Sequence, residues 1–195
     1  MNNIIQLKIT LQDTKPPIWR QILVDKSATF SELHHIIQIA MGWQNCHLFE
    51  FNINGNKIAA PNKEIDMGYE VKSMDASTLT LGSVIKSTGE RFEYEYDFGD
   101  GWEHWILVEK FLPRDKNTRY QLCIDGKLNC PPEDCGGTYG FYNMLKIIKS
   151  KKHPEHKEML EWLGGTYDKE HFDVESVNEE LLSLDEYIRD SSNTN

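Results

Sequence analysis

The first hydrophobic positions in the chain recur with period two. Ile5, Leu7 and Ile9 alternate with Gln6, Lys8 and Thr10, the pattern of a strand with one buried face over residues 4–11. Asp13, Thr14, Lys15, Pro16 and Pro17 are turn chemistry, and residues 18–24 read as a second strand. The period then changes. Thr29 with Glu32 three positions on is a capping box, and Phe30, Leu33, Ile37 and Ala40 follow at helical spacing until Gly42 stops the run. Residues 49–53 return to strand spacing, and Asn54-Gly55 is a tight-turn pair into 57–59.

From 61 to 77 the pattern dissolves into a polar excursion, and 79–85 reads as a short helical turn. Residues 92–98 and 102–111 carry the strongest strand signals of the chain. Three helical stretches close it, 139–149, 154–163 and 172–184, with 191–195 expected as a frayed tail. The expected fold class is α+β: a β-grasp-like mixed sheet, entered strand–strand–helix–strands, with trailing C-terminal helices packed on it. No repeat or interdomain linker interrupts the pattern, so residues 1–190 are expected to form one domain.

Composition narrows the function classes. The 195 residues are 39% hydrophobic and 27% charged, enough for a packed core and an ordinary solvated surface. No apolar run approaches the ~20 residues of a membrane helix. The N-terminal stretch has neither a basic leader nor a small-residue cleavage site, so no secretion signal is expected, and the expected location is the cytoplasm. Net charge is −10, and residues 151–195 hold 5 basic against 12 acidic side chains, a net −7. Proteins that grip phosphate backbones concentrate Lys and Arg instead, so strong nucleic-acid binding is not expected.

Candidate chemistry falls in two places. The first is the run from Tyr94 to Trp105, around Asp97, Asp100, Trp102 and His104. Taking Asp100-Gly101 as a two-residue type I′ turn pairs Asp97 with His104 across the strands. That register leaves Tyr94, Tyr96, Trp105 and Leu107 on the core face. A carboxylate opposite an imidazole orients the ring for proton transfer or metal holding; a plain cross-strand ion pair fits the same residues.

The second is the loop 123–137, where Pro131, Pro132, Glu133, Asp134, Gly136 and Gly137 make a stiff, acidic, glycine-ended segment. Its thiols, Cys123, Cys130 and Cys135, are spaced unlike structural zinc knuckles. Asp97, Asp100, His104, Cys123 and Cys130, or three thiols with His47 or His104, are the metal-ligand candidates; reduced buried cysteines are the plainer reading. The two acidic segments are expected to meet. His34 is expected to be half-buried and satisfied. No nucleophile elbow, phosphate loop or dinucleotide fingerprint occurs.

The stretches KPPIWRQILV (15–24), TFSELHHIIQIAMGW (29–43), FEYEYDFGDGWEHWILVEK (92–110), CPPEDCGGTYGF (130–141) and FDVESVNEEL (172–181) resemble the plasmid Ri open-reading-frame-three-like family, whose members are often labelled TnpR-like. The resemblance implies a mixed sheet with trailing helices and no established biochemical activity. It also implies a PPED-x-GG pattern in which the position of Cys135 varies. Recombinase chemistry does not fit: only Arg20, Arg91, Arg114, Arg119 and Arg189 are present, scattered, and the C-terminus is acidic.

Two function classes follow. One is a binding or adaptor module that presents an acidic-aromatic loop site near Trp43, Trp102 and 131–137 to an unknown protein or small-molecule ligand. The other is a metal-assisted, hydrolase-type enzyme built on Asp97, Asp100, His104, Glu133 and Asp134. Convergence of those acids in a cleft separates the two. The sequence identifies no cofactor.

Overall fold

The computed structural model describes residues 3–60 and 73–193. Its order is β1 (Ile4–Leu11), β2 (Trp19–Asp25), α1 (Phe30–Met41), β3 (Phe49–Ile53), β4 (Asn56–Ala59), β5 (Met74–Asp75), α2 (Leu81–Val84), β6 (Arg91–Tyr96), β7 (Trp102–Leu112), β8 (Leu122–Lys127), α3 (Gly137–Lys149), α4 (His156–Trp162), α5 (Val174–Leu181) and α6 (Leu184–Asn193). The strands form one mixed sheet in the order β5-β4-β3-β6-β7-β1-β2-β8. Every pairing is antiparallel except β4 with β5. The protein is α+β, as expected. The expected strand–strand–helix opening is present as β1, β2 and α1.

Alternation decides which face is buried. Leu7, Ile9, Ile22, Phe51, Phe92, Tyr94, Ile106 and Val108 are sealed in the core, while Glu50, Glu93, Glu95, Glu103 and Trp105 occupy the alternate positions. α1 packs into the core through Phe30, Leu33, Ile36 and Ile37. Its start is the capping box read from sequence: Glu32 N donates to Thr29 Oγ1, and Thr29 N donates to the Glu32 carboxylate. Its end is Gly42 at φ 81°, a left-handed conformation that glycine adopts without a Cβ penalty.

Arg20 faces the core beside that helix end. Its Nε donates to Ala40 O at 2.7 Å, its Nη2 to Cys130 Sγ, and the guanidinium stacks on Phe172. One buried arginine therefore ties the end of α1 to the cysteine loop and to the segment that enters α5.

Several elements differ from expectation. Part of the polar excursion, 61–72, lies outside the described residues; beyond it β5 is a two-residue strand, too short to show a period. β8 was hidden in the cysteine loop because only Cys123 in it is fully buried. The stretch 172–184 holds α5 and ends at the first residue of a second helix, α6, with Ser183 and Glu186 at the spacing of a new helix start. α6 runs into the expected tail as far as Asn193, and 194–195 lie outside the described residues.

Candidate functional site

The β6–β7 connection is longer than a two-residue hairpin. Tyr94 pairs with His104, Glu95 with Glu103 and Tyr96 with Trp102, leaving 97–101 as the turn. Asp97 closes it: Gly101 N donates to Asp97 O and Gly99 N to Asp97 Oδ1, with Asp97 itself at φ 56°. This register is odd relative to the expected one, so every side chain of β7 changes face. The expected Asp97–His104 pair is therefore wrong. His104 and Trp102 point into the core and are fully buried, while Trp105, expected inside, is 44% exposed.

Burial also changes His104 chemically. Its Nδ1 lies 3.3 Å from Tyr94 O, its Nε2 has no hydrogen-bond partner, and burial pushes its pKa down to about 4. It is a neutral core imidazole, packed edge-on against Trp43. Trp43 and Trp102, proposed from sequence as contact residues for a ligand, are likewise core. Cys123 and Cys130 are buried free thiols, and Cys130 accepts from Arg20. Burial raises both, Cys123 to about 11.

The two acidic segments do meet. Gly136 N donates to Asp100 Oδ2 at 3.1 Å, and Gly137 sits so close that an added Cβ would lie 2.4 Å from Asp100 O. Gly137 is at φ 64°, so glycine is required there on both counts. Glu133 faces the loop after α1: it accepts from Tyr96 OH at 2.5 Å and Gln44 N at 2.8 Å. Trp43 Nε1 donates to Pro131 O in the same seam.

That third loop, 43–48, carries a residue the sequence reading weighed only as a thiol-site partner. His47 Nε2 lies 3.6 Å from Asp97 Oδ2 and 3.2 Å from Asp134 Oδ1. One ligand atom from each of these three residues lies within 4.8 Å of the others, which makes them a potential metal-holding group among the described residues.

The loop is fixed by a closed chain of buried hydrogen bonds. His34 Nε2 donates to Asn45 Oδ1 at 2.6 Å, so its Nδ1 accepts from Tyr94 OH; Gln38 Nε2 donates to Tyr94 OH, and Asn45 N donates back to Gln38 Oε1. Burial, followed by the charge of His35, pushes the His34 pKa down to about 3, which suits this neutral tautomer. Each polar atom in the ring is satisfied, so it rigidifies the core beneath His47.

Beside the junction lies a groove of about 450 Å³ between α3 and α4. Asp134, Glu155 and Glu158 contribute acids, and Met144, Met159 and the half-exposed Trp162 contribute apolar surface. Cys135 also lines it, with its thiol pushed up to about 12 by burial and by Asp100. Sequence reading missed Glu155, Glu158 and Trp162. The signal available was an exposed Trp in a short helix whose apolar residues make no long stripe.

Among the described residues, an eight-stranded sheet thus carries three interlocked loops at one end of β6 and β7. Over residues 3–176 the chain matches the family described as plasmid pRiA4b ORF-3-like protein, and it belongs to that family. It is 35% identical over 184 residues to an uncharacterized protein, y4hQ, of Sinorhizobium fredii (strain NBRC 101917 / NGR234), covering 93% of this chain and 92% of the relative. A crystal structure of a protein of unknown function, MM3350 from Methanosarcina mazei Go1, superposes with a TM-score of 0.79 at 34% identity, covering 88% of this chain and 96% of that one. These relatives carry no established activity in their descriptions. No helix among the described residues is long and apolar enough to cross a membrane.

Proposed function

We propose that this protein is a binding module that receives a basic segment of a partner protein in the groove between α3 and α4. The observation that carries the reading is the groove's lining: carboxylates of Asp134, Glu155 and Glu158 beside an apolar floor of Met144, Met159 and Trp162. That combination suits an arginine or lysine, whose aliphatic stem packs on apolar surface while its head meets the acids. The volume falls in the ~300–1,000 Å³ range of ordinary ligand pockets. The net charge of −10 adds long-range attraction for a cationic partner, while the segment 137–163 that forms the groove holds five lysines against three glutamates. Asp100, Glu133, Gly136 and Gly137 serve this reading by holding the 130–137 loop, and with it Asp134, at the groove's edge.

The hydrolase-type alternative loses its constellation as first drawn. His104 is sealed in the core, Glu133 is engaged by Tyr96 and Gln44, and Asp100 accepts from Gly136. Nor does a TnpR-like role enter this reading, because Arg20 spends its donors on core acceptors. The cytoplasm is the proposed location, where four free thiols stay reduced.

The test is calorimetric titration of the full chain, in EDTA, with a capped peptide alternating arginine and leucine. Exposed ion pairs contribute ~0.2–1 kcal/mol each, so Glu155→Gln with Glu158→Gln should weaken binding roughly tenfold, and added salt should weaken it further. Absence of saturable binding, or affinity indifferent to both substitutions, defeats the proposal.

A further inference from the structure

His47, Asp97 and Asp134 come from three separate loops, and their facing atoms stand at metal-ligand spacing. Around a tetrahedral divalent ion with ligands at ~2.0–2.2 Å, neighbouring ligand atoms stand about 3.4 Å apart. The His47 Nε2 distances to Asp97 Oδ2 and Asp134 Oδ1, 3.6 and 3.2 Å, bracket that edge.

The hydrogen bonding around these atoms points the same way. His47 Nε2 is shielded from solvent yet completes no hydrogen bond, although two carboxylate oxygens flank it. Asp97 commits Oδ1 to Gly99 N, which leaves Oδ2 as the atom directed at His47. A nitrogen that hydrogen-bonds to neither neighbouring oxygen, and one oxygen from each carboxylate beside it, is a donor set waiting for a shared cation rather than a set of finished ion pairs.

The supports of all three ligands are already in place. The buried Asn45–His34–Tyr94–Gln38 ring fixes the His47 loop. The bonds Gly101 N to Asp97 O and Gly136 N to Asp100 Oδ2 fix the other two loops. A site whose ligands are preorganised in this way loses little conformational freedom on binding.

We infer that His47 Nε2, Asp97 Oδ2 and Asp134 Oδ1 together bind one first-row divalent cation. One imidazole with two carboxylates is a borderline-hard set, which suits Zn²⁺ and Mn²⁺. With the Asp134 side chain 72% exposed and that of His47 30% exposed, the group lies at the surface, where an ion can reach it from solvent. This site shares Asp134 with the groove but does not rest on the peptide reading, which is measured in chelator.

The experiment uses the full chain stripped with EDTA and dialysed free of it. Zn²⁺ affinity is read by calorimetry, and Mn²⁺ is added substoichiometrically while amide signals are followed by NMR. The expected result is Mn²⁺ broadening centred on the amides of His47, Asp97, Gly99 and Cys135. Asp134→Asn, which keeps the shape of an exposed side chain at a left-handed position, and His47→Gln should each weaken the Zn²⁺ site at least tenfold and remove the broadening. Unchanged Zn²⁺ affinity in both variants, broadening centred instead on Glu50, Glu95 and Glu103, or no broadening at all, each overturns the inference. Far-UV circular dichroism of both variants confirms that a lost signal is a lost ligand and not a lost fold.

Discussion

Acid should destabilise this protein through its buried histidines. His34 and His104 are held neutral, with folded-state values of about 3 and about 4 against an unfolded value near 6.5. Burial is the first cause in both, and His35 is lowered by burial in the same direction. A histidine whose folded value is depressed binds fewer protons in the native state, so stability rises with pH across the gap and falls as pH drops from about 6.5 towards 4. Between about pH 7.5 and about pH 5, each of the two should cost the fold about 2 kcal/mol, about 4 kcal/mol together.

Geometry gives the reason for the size. Protonating His104 would put a donor on Nε2, which makes no hydrogen bond in the core, and protonating His34 would break its bond from Tyr94 OH. The assay is urea denaturation at both pH values for the wild type and for His104→Phe, which replaces the imidazole with another ring among Trp43 and Tyr94. The variant should lose about half of the pH dependence. A wild type equally stable at the two pH values, or a variant with an undiminished slope, refutes the assignment of neutral buried imidazoles.

Two further substitutions probe the supports of the site and the fold. Gly137→Ala should cost about 2 kcal/mol or more, because it places a Cβ against Asp100 O at a positive φ, and a thermal melt reads the loss. Thr29→Ala removes the side-chain half of the α1 capping box and should cost about 1 kcal/mol in the same melt.

Most of the framework was legible in the sequence because it rests on local rules. Thr29 with Glu32 announced the start of α1, and Gly42 its end. The alternation in 4–11 gave β1 with its buried face, and the spacing in 49–53 gave β3. The β6–β7 turn was not legible, since Asp100-Gly101 has the residues of a two-residue hairpin and only the left-handed Asp97 and its bonds to Gly99 and Gly101 lengthen it. That single difference moved His104 from the site to the core.

The meeting of the two acidic loops was foreseen from their matching stiffness and charge. His47 was not foreseen as their partner. It stands two residues before β3, and only the pairing of Phe49 with Tyr96 brings that position beside the turn after β6. Such a neighbour depends on strand order, which no local pattern encodes. The groove between α3 and α4 was hidden for the same reason, because its walls come from two helices and a distant loop.

The measurement that tests the proposed binding surface most directly is an NMR titration of the full chain, in chelator, with the alternating arginine–leucine peptide. Progressive shifts of the Asp134, Cys135, Glu155 and Glu158 amides and of the Trp162 indole are expected, with the acidic outer sheet face unmoved. Shifts confined to Glu50, Glu93, Glu95 and Glu103, with Trp162 silent, would contradict the proposed binding surface.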